Sequence, residues 1–345
     1  MPNPIHILHI LSDKQTERNS LSLKDFLAAL NQRGLSSELM YFPGNPYQRL
    51  ATLIPVIRKK KIQIVHSHDL ASMTCGALAS RLTGIRSIHT QHQKDDRKVA
   101  GWIWNLPCAT VFDSENIKES ISQKNHIKKN KTKIISQGFE LAQLNAPLSA
   151  PGKSELRRRM SLREDSLIIG NHAPLIASED QATLLKAMRN LIRKKVNAQL
   201  ILSGDGPLRQ DIENIVCDFD LTDHVKFFDN GTDVKTLLKL FDVVVCSSYK
   251  EEISSVVIEG MAAGKPVIAT KIGGNNEIVK EGETGFVIPC GFPERIESVL
   301  MRFSANRTWA EKIGQAARLH YENNLSLASM TSQYENLYRK DLYGY

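Results

Sequence analysis

Glu251 and Glu259 stand eight positions apart in VVVCSSYKEEISSVVIEGMAAGKPVIAT, residues 243–270. The segment reads as a buried strand, a polar loop, a helix and a second buried strand. That order sets both carboxylates at the rim of a parallel sheet, where α/β proteins place their ligands. Val243 to Cys246 is an unbroken apolar run rich in β-branched side chains, suited to a strand covered on both faces. Ser254 and Ser255 offer side-chain oxygens to the free amides of a helix start, and Val256, Val257, Ile258, Met261 and Ala262 supply the buried side. Gly264 is placed as the C′ residue, Pro266 prevents continuation, and Val267 to Ala269 begins the next strand. The first helical turn then points amides and positive dipole at the sheet edge, where phosphate is stabilised without side-chain charge. With Glu251 in the loop and Glu259 on the helix, both can face one crevice.

The elements that must hold this segment alternate along the whole chain. Ile5 to Leu11, Ser37 to Tyr41, Ile62 to His66, Ser87 to Thr90 and Thr110 to Asp113 read as strands, with helical stretches such as Leu23 to Arg33 and Ala71 to Leu82 between them. A second series follows at Leu167 to Asn171, Gln199 to Ser203, Val225 to Phe228, Val243 to Cys246, Val267 to Ala269 and Gly285 to Ile288. Alternation of this kind predicts an α/β protein with two doubly wound parallel sheets, and 345 residues suffice for two domains. The break is expected in LNAPLSAPGKS, Leu144 to Ser154, giving domains over residues 1–150 and 151–325. The closing stretch, Ser326 to Leu342, reads as helical.

On these and further motifs the chain resembles the retaining GT-B glycosyltransferases that use nucleotide-sugar donors and carry a Glu, seven residues, Glu signature, the family 4-like or group 1 transferases. The matching pieces are Glu251 with Glu259, ILSGDGPLRQDI, FFDNGTDVKTLLKLFDVVVCSS, EGMAAGKPVIAT, IGGNNEIVKEGETGFVI and YENLYRKDL. The resemblance implies a GT-B fold, two Rossmann-like domains facing across a cleft, with residues 326–345 crossing back onto the first. It implies that Glu259 hydrogen-bonds the donor ribose and Glu251 the hydroxyls of the transferred sugar. The amides of Ser254, Ser255 and Val256 would hold the diphosphate, and Gly204 and Gly206 belong to the matching donor segment. His92 matches a histidine that lies beside the transferred sugar, while His68, in the HSH loop, and Arg18 would line the acceptor side.

The departures from the family pattern bear on the same chemistry. Where many relatives have a Gly-Gly loop after the first strand, this chain has Glu17-Arg18-Asn19-Ser20, which makes close backbone approach to the donor harder. Where relatives clamp the diphosphate with Arg and Lys, the aligned positions are Pro174 and Glu179. Loss of one comparable stabiliser elsewhere costs roughly 2.7 to 4 kcal/mol, so other cations, Arg18, Lys94, Arg97 and Lys250 being the nearest, must substitute if the chemistry is retained. Glu252 adds negative charge where relatives usually have glycine.

Charge is divided unevenly. Residues 1–150 hold 20 Lys and Arg against 11 Asp and Glu, whereas the remainder holds 25 against 26. The first domain is thus the candidate acceptor and membrane-facing half, through Arg58-Lys59-Lys60-Lys61 and Lys124, Lys128, Lys129, Lys131 and Lys133. The clusters lack interleaved aromatic residues and no nucleic-acid motif is present, which argues against a nucleic-acid partner. Trp102 and Trp104 read as core. Five scattered cysteines without C-x-x-C spacing point to reduced thiols and to no metal site. MPNPIHILHIL has no basic leader, and no apolar run is long enough to span a membrane. A cytoplasmic protein, peripheral on the inner membrane face, is expected. The resemblance implies transfer of a hexose from a UDP- or GDP-sugar to a hydroxyl of a cell-envelope glycan or glycolipid, as in lipopolysaccharide or other polysaccharide biosynthesis, with no cofactor. The alternative is a catalytically silent GT-B homologue that binds a glycan or a partner enzyme.

Overall fold

The computed structural model describes residues 4–12, 23–41, 44–92, 101–141, 144, 150–229, 233–249 and 254–343. The chain divides into two compact units, Met1–Glu140 with Asn324–Tyr345, and Leu141–Asn323.

In the first unit, strands β1 (His6–Leu11), β2 (Ser36–Tyr41), β3 (Ile64–Ser67), β4 (Arg86–Gln91), β5 (Ala109–Phe112) and β6 (Thr132–Ile134) alternate with helices α1 (Leu23–Gln32), α2 (Pro46–Lys59), α3 (Leu70–Thr83) and α4 (Glu115–Lys124). The sheet is parallel with order β2-β1-β3-β4-β5-β6, so its winding reverses between β1 and β3. Asp69 sets the α3 start: its Oδ1 accepts from the Ser72 amide at 2.8 Å, while its Oδ2 accepts from the Ser12 amide at 2.7 Å. One side chain thereby ties the end of β1 to the loop after β3.

The second unit holds α5 (Ala150–Arg159), β7 (Leu167–His172), α6 (Gln181–Arg193), β8 (Ala198–Ser203), α7 (Arg209–Asp218), β9 (Val225–Phe228), α8 (Val234–Leu240), β10 (Val243–Cys246), α9 (Ser255–Ala262), β11 (Val267–Thr270), α10 (Asn275–Ile278), β12 (Gly285–Ile288), α11 (Pro293–Ala305) and α12 (Arg307–Asn324). Its parallel order, β12-β11-β10-β7-β8-β9, places the reversal between β7 and β10. Leu167, Ile169, Leu200, Leu202, Val243, Val245 and Ile268 from the strands pack with Leu184, Met188, Leu300 and Phe303 from the helices. The last helix, α13 (Leu327–Tyr343), belongs to the first unit and buries Leu327, Met330, Tyr334, Leu337 and Tyr338 against Ile5, Ile7, Phe26, Leu30 and Ile64.

Three expectations need correction. The break placed at Leu144 to Ser154 overlaps α5, because Pro151 lies in a first turn, where a missing amide costs nothing. Strand β6 was not anticipated. Thr132, Lys133 and Ile134 form a partly exposed edge inside a lysine-rich run, without the apolar signature of a buried strand. Trp104 is core at 2 % exposure, but Trp102 is 62 % exposed, since Trp102 lies in a turn and Trp104 in the short 3-10 helix Ile103–Asn105 that follows it, and not on one strand face.

Asp242, just before β10, anchors three elements. Its carboxylate receives Lys153 Nζ at 2.7 Å and Arg157 Nη2 at 2.8 Å from α5, Arg307 Nη1 at 3.1 Å from α12, and the Ile168 amide at 2.9 Å. Burial alone would raise this carboxyl, but Lys153, the Ile168 amide and Arg157 hold it below its ordinary value. The contribution is therefore complete above the unfolded value of 3.8 and is lost as pH falls through the lower folded value. Asp242→Ala is expected to cost about 3 kcal/mol, at the lower end for a broken buried network because Lys153 and Arg307 are partly exposed. Urea midpoints at pH 7 and at acid pH measure it, and the difference between variant and parent shrinks on acidification.

Candidate functional site

Both units present their reactive side chains near the reversal of their sheet. In the second, the loop after β10 is tied to the 3-10 turn Ala177–Glu179: the Ser247 hydroxyl donates to the Glu179 carbonyl at 2.9 Å, that of Ser248 to the Ser178 carbonyl at 3.1 Å, and the Tyr249 amide to the Ser178 carbonyl at 2.7 Å. Across β11, the Thr270 hydroxyl donates to the Ser248 carbonyl at 2.6 Å. Asn275 Oδ1 accepts from the Ser254 amide at 3.2 Å. These bonds position the start of α9 from three sides.

Helix α9 ends as its sequence dictates. Gly264 has φ +70°, its amide donates to the Met261 carbonyl at 3.0 Å, and the Lys265 amide donates to the Gly260 carbonyl at 2.9 Å, the pair of bonds of a Schellman terminus. Its start differs from expectation. Ser254 is the N-cap residue but makes no side-chain capping bond, because its hydroxyl is hydrogen-bonded with the buried Cys246 thiol. Among the described residues the amides of Ser255 and Val256 have no acceptor, while those of Val257 and Ile258 reach the Ser254 carbonyl at 3.1 and 3.4 Å. The helix thus offers two unpaired donors with its positive dipole end.

Glu259 lies one turn further along, on the face of Ser255. Its Oε2 is buried without a hydrogen-bond partner, and burial pushes the carboxyl up to about 7. Glu251, Glu252 and Lys250 lie outside the described residues, as do Arg18, Lys94 and Arg97. Gly204 and Gly206 follow β8 and lie against the loop after β7. A Cβ on Gly204 would stand 2.1 Å from the Ala173 carbonyl oxygen, and one on Gly206 2.4 Å from that of Leu175. Pro174 is exposed on that loop, and Glu179 is buried at its end. His172, at the tip of β7, was not singled out from sequence. Half-buried, it meets the Ser203 hydroxyl at 3.2 Å through Nδ1, and burial lowers its pKa.

In the first unit the histidines form one network. His92 Nδ1 is 2.8 Å from Asp113 Oδ2, and its Nε2 is 3.2 Å from His68 Nδ1; His68 Nε2 is 2.9 Å from His9 Nδ1. His68 is only 6 % exposed and both its nitrogens are engaged, so it stands behind His92 and offers no nitrogen to an acceptor in this structure. The His92 side chain keeps 23 % of its surface exposed. Burial alone would lower His92, but the charge of Asp113 and the hydrogen bond to it raise its pKa overall. His66 is bonded at Nδ1 to Tyr338 Oη and at Nε2 to Thr90 Oγ1, both at 2.7 Å. His9, His66 and His68 each place a nitrogen within 4.8 Å of the others, but the bonds just named occupy both nitrogens of His66 and of His68 and one of His9. Asp113 and His9 were not singled out as site residues. A carboxylate closing one strand and a histidine amid the leucines and isoleucines of another were the available signals.

The basic clusters fall at the opposite edge of this sheet. Arg58 and Lys59 end α2, with Lys60 and Lys61 following before β3 begins; Lys128, Lys129 and Lys131 lead into β6, and Lys133 lies within it. Lys60 is paired with Glu38, and Lys131 Nζ donates to the carbonyls of Asn105 and Pro107 at 3.0 Å, which gives these two a structural role. Among the described residues no helix is long and apolar enough to cross a membrane.

Comparison with known proteins gives this geometry a family. The profile described as Glycosyl transferases group 1 matches residues 152–320, and that of Glycosyltransferase Family 4 matches residues 23–143. An uncharacterised glycosyltransferase of Methanocaldococcus jannaschii is 26 % identical over 295 residues, 81 % of this chain and 75 % of that protein. The UDP-Gal:alpha-D-GlcNAc-diphosphoundecaprenol alpha-1,3-galactosyltransferase of Escherichia coli is 24 % identical over 306 residues, 84 % of this chain and 78 % of that one. Among solved structures, Anabaena HepE in complex with UDP superposes with a TM-score of 0.74 at 18 % identity, covering 97 % of this chain and 100 % of that chain. Two six-stranded parallel sheets of this kind constitute the GT-B fold, and the chain belongs to the group 1 glycosyltransferases, with a family 4 first domain.

Proposed function

We propose that the protein is a retaining glycosyltransferase that moves a hexose from a UDP- or GDP-sugar to a hydroxyl of a cell-envelope glycan or lipid-linked glycan. The observation that carries the reading is Glu259: a buried carboxyl with an unpartnered oxygen, one turn into a helix whose first two amides find no acceptor among the described residues. Buried polar atoms are rarely left unpaired unless a ligand completes them. A nucleotide-sugar does so, with its ribose hydroxyls on Glu259 and its diphosphate on the amides of Ser255 and Val256. Glu251 would meet the transferred sugar and His92 would lie beside it. Departure of the diphosphate leaves an oxocarbenium-like sugar, and the acceptor attacks from the same face while its proton passes to the leaving phosphate, so that no protein base is required. The E. coli relative, named for a UDP-Gal donor and a diphosphoundecaprenol-linked acceptor, supports a lipid-linked acceptor. The exposed lysines at the edge of the first unit support docking to an anionic inner-membrane surface, worth about 1 kcal/mol per basic residue near it.

The test is release of nucleotide from UDP- and GDP-sugars by the purified protein, with and without envelope extract, beside Glu251→Ala. Turnover by the parent and its loss in the variant are expected. Donor at ~100 times its Kd should stabilise the protein by roughly 2.7 kcal/mol in a thermal-shift screen. Pro174 and Glu179, where relatives hold cations, favour a second reading, a silent homologue that binds glycan or a partner enzyme. That reading takes over if nucleotide-sugars neither bind nor are consumed.

A further inference from the structure

The three imidazoles behind the exposed edge of His92 lie in one plane. His9 and His68 have ring centroids 5.2 Å apart at 16°, and His68 and His92 have centroids 5.5 Å apart at 8°. With nitrogen separations of 2.9 and 3.2 Å, the rings meet edge to edge and do not overlap face on face. A neutral imidazole carries one N–H and one lone pair, so the partner at one end dictates the tautomer of every ring. Asp113, only 7 % exposed, is that end: its carboxylate accepts from His92 Nδ1, which leaves the lone pair on His92 Nε2. His68 must then donate from Nδ1 and accept at Nε2, and His9 must donate from Nδ1. The chain ends on His9 Nε2, which is buried without a partner.

We propose that Asp113 is a positioning residue for glycosyl transfer, fixing His92, His68 and His9 as one hydrogen-bonded imidazole chain of single polarity so that His92 presents a lone pair at Nε2 to the transferred sugar. This rests on the reading of the protein as a glycosyltransferase. A sugar hydroxyl entering here donates to His92 Nε2 and accepts from His68 Nδ1, so that neither group is left unpaired, and Asp113 holds the ring in register during the exchange. Reversing the chain would place an N–H on His9 Nε2, a buried donor in place of a buried acceptor, and orphaned buried N–H groups are the rarer of the two. Burial pushes His9 down to about 3 and His68 well below its ordinary value, which keeps both neutral, as a single polarity requires.

Two measurements on the full chain test this. Long-range proton–nitrogen correlation of histidine-labelled protein, at a pH above the raised pKa of His92 where that ring is neutral, should show Nδ1–H and bare Nε2 for His92, His68 and His9. In Asp113→Asn the new amide can donate to His92 Nδ1, as an Asn does when it replaces the Asp of a catalytic triad, and all three rings should change tautomer together. If His68 and His9 keep theirs, the chain is not a unit and the proposal fails. It also fails if stoichiometric Zn²⁺ abolishes the chain signals, which would make His9, His66 and His68 a metal site. In turnover, Asp113→Asn should lower kcat about 100-fold with KM little changed, whereas Asp113→Glu, which keeps the charge, recovers part of it. Equal losses in both variants, or a loss confined to KM, overturn the positioning role. Absence of turnover in the parent removes the glycosyltransferase reading and the positioning role with it, while the tautomers still decide whether the chain exists.

Discussion

Glu259→Ala is expected to reduce kcat/KM for the nucleotide-sugar by roughly 30- to 160-fold, the effect of removing a charge-assisted hydrogen bond of about 2 to 3 kcal/mol from a desolvated position. The same carboxyl makes stability and donor binding depend on pH in opposite ways. Burial raises it from 4.5 to about 7, so below pH 4.5 it is protonated folded or unfolded and costs nothing. As pH rises from 4.5 to about 7 the unfolded chain ionises while the folded protein keeps the acid protonated, so stability falls through this window and levels off above 7, where the folded protein must hold a buried charge. The loss approaches about 2 to 3 kcal/mol above that point. Glu259→Gln removes this penalty, so its Tm relative to the parent should be markedly higher at pH 8 than at pH 4.5. A bound ribose donates hydroxyls to the ionised form, so the parent's donor affinity should instead tighten from pH 6 to pH 8. A flat Tm difference between Gln and Glu across this range would show that Glu259 is solvated and not poised for a ligand.

Gly204→Ala should be the most destabilising single-methyl change in the second unit, by about 4 kcal/mol. Gly204 has φ +143°, and the added carbon would meet the backbone oxygen of Ala173 at 2.1 Å, a neighbour that cannot turn aside as a side chain end can. Strained backbone costs about 1 to 3 kcal/mol and overpacking a similar amount. Chemical denaturation with an unchanged m-value measures it. If stability is retained, the loop after β7 must have moved, and donor affinity should then fall, because the Ala177–Glu179 turn that holds Ser247 and Ser248 belongs to the same connection.

The architecture was readable wherever burial writes itself into composition. Unbroken apolar runs such as Val243 to Cys246 and Leu200 to Leu202 have no other stable place than the middle of a covered parallel sheet, and Gly264 with Pro266 ends α9 where the pattern says. What escaped the sequence depended on which partner a polar group chooses in three dimensions. Ser254 has the chemistry of a cap, yet its hydroxyl prefers the Cys246 thiol, a choice no local pattern encodes. Asp113 and His92, 21 positions apart, meet only because β4 and β5 are adjacent and in register. Thr132 to Ile134 carries an edge strand's polarity, which resembles that of a loop. The glutamate pair that opens the sequence analysis is placed by half, since Glu259 is described and Glu251 is not.

The route of the chain has a consequence for biosynthesis. The first unit is made of two separated stretches, and its core requires Tyr334, Tyr338 and Leu337 from a helix encoded after the whole second unit. Phe139 and Ser326 meet in a bridge where the chain leaves that unit and where it returns. The half that emerges first from the ribosome therefore waits for the last helix to be synthesised, with the apolar face of β1 and α1 open to chaperones meanwhile, and the half translated later can finish folding before it.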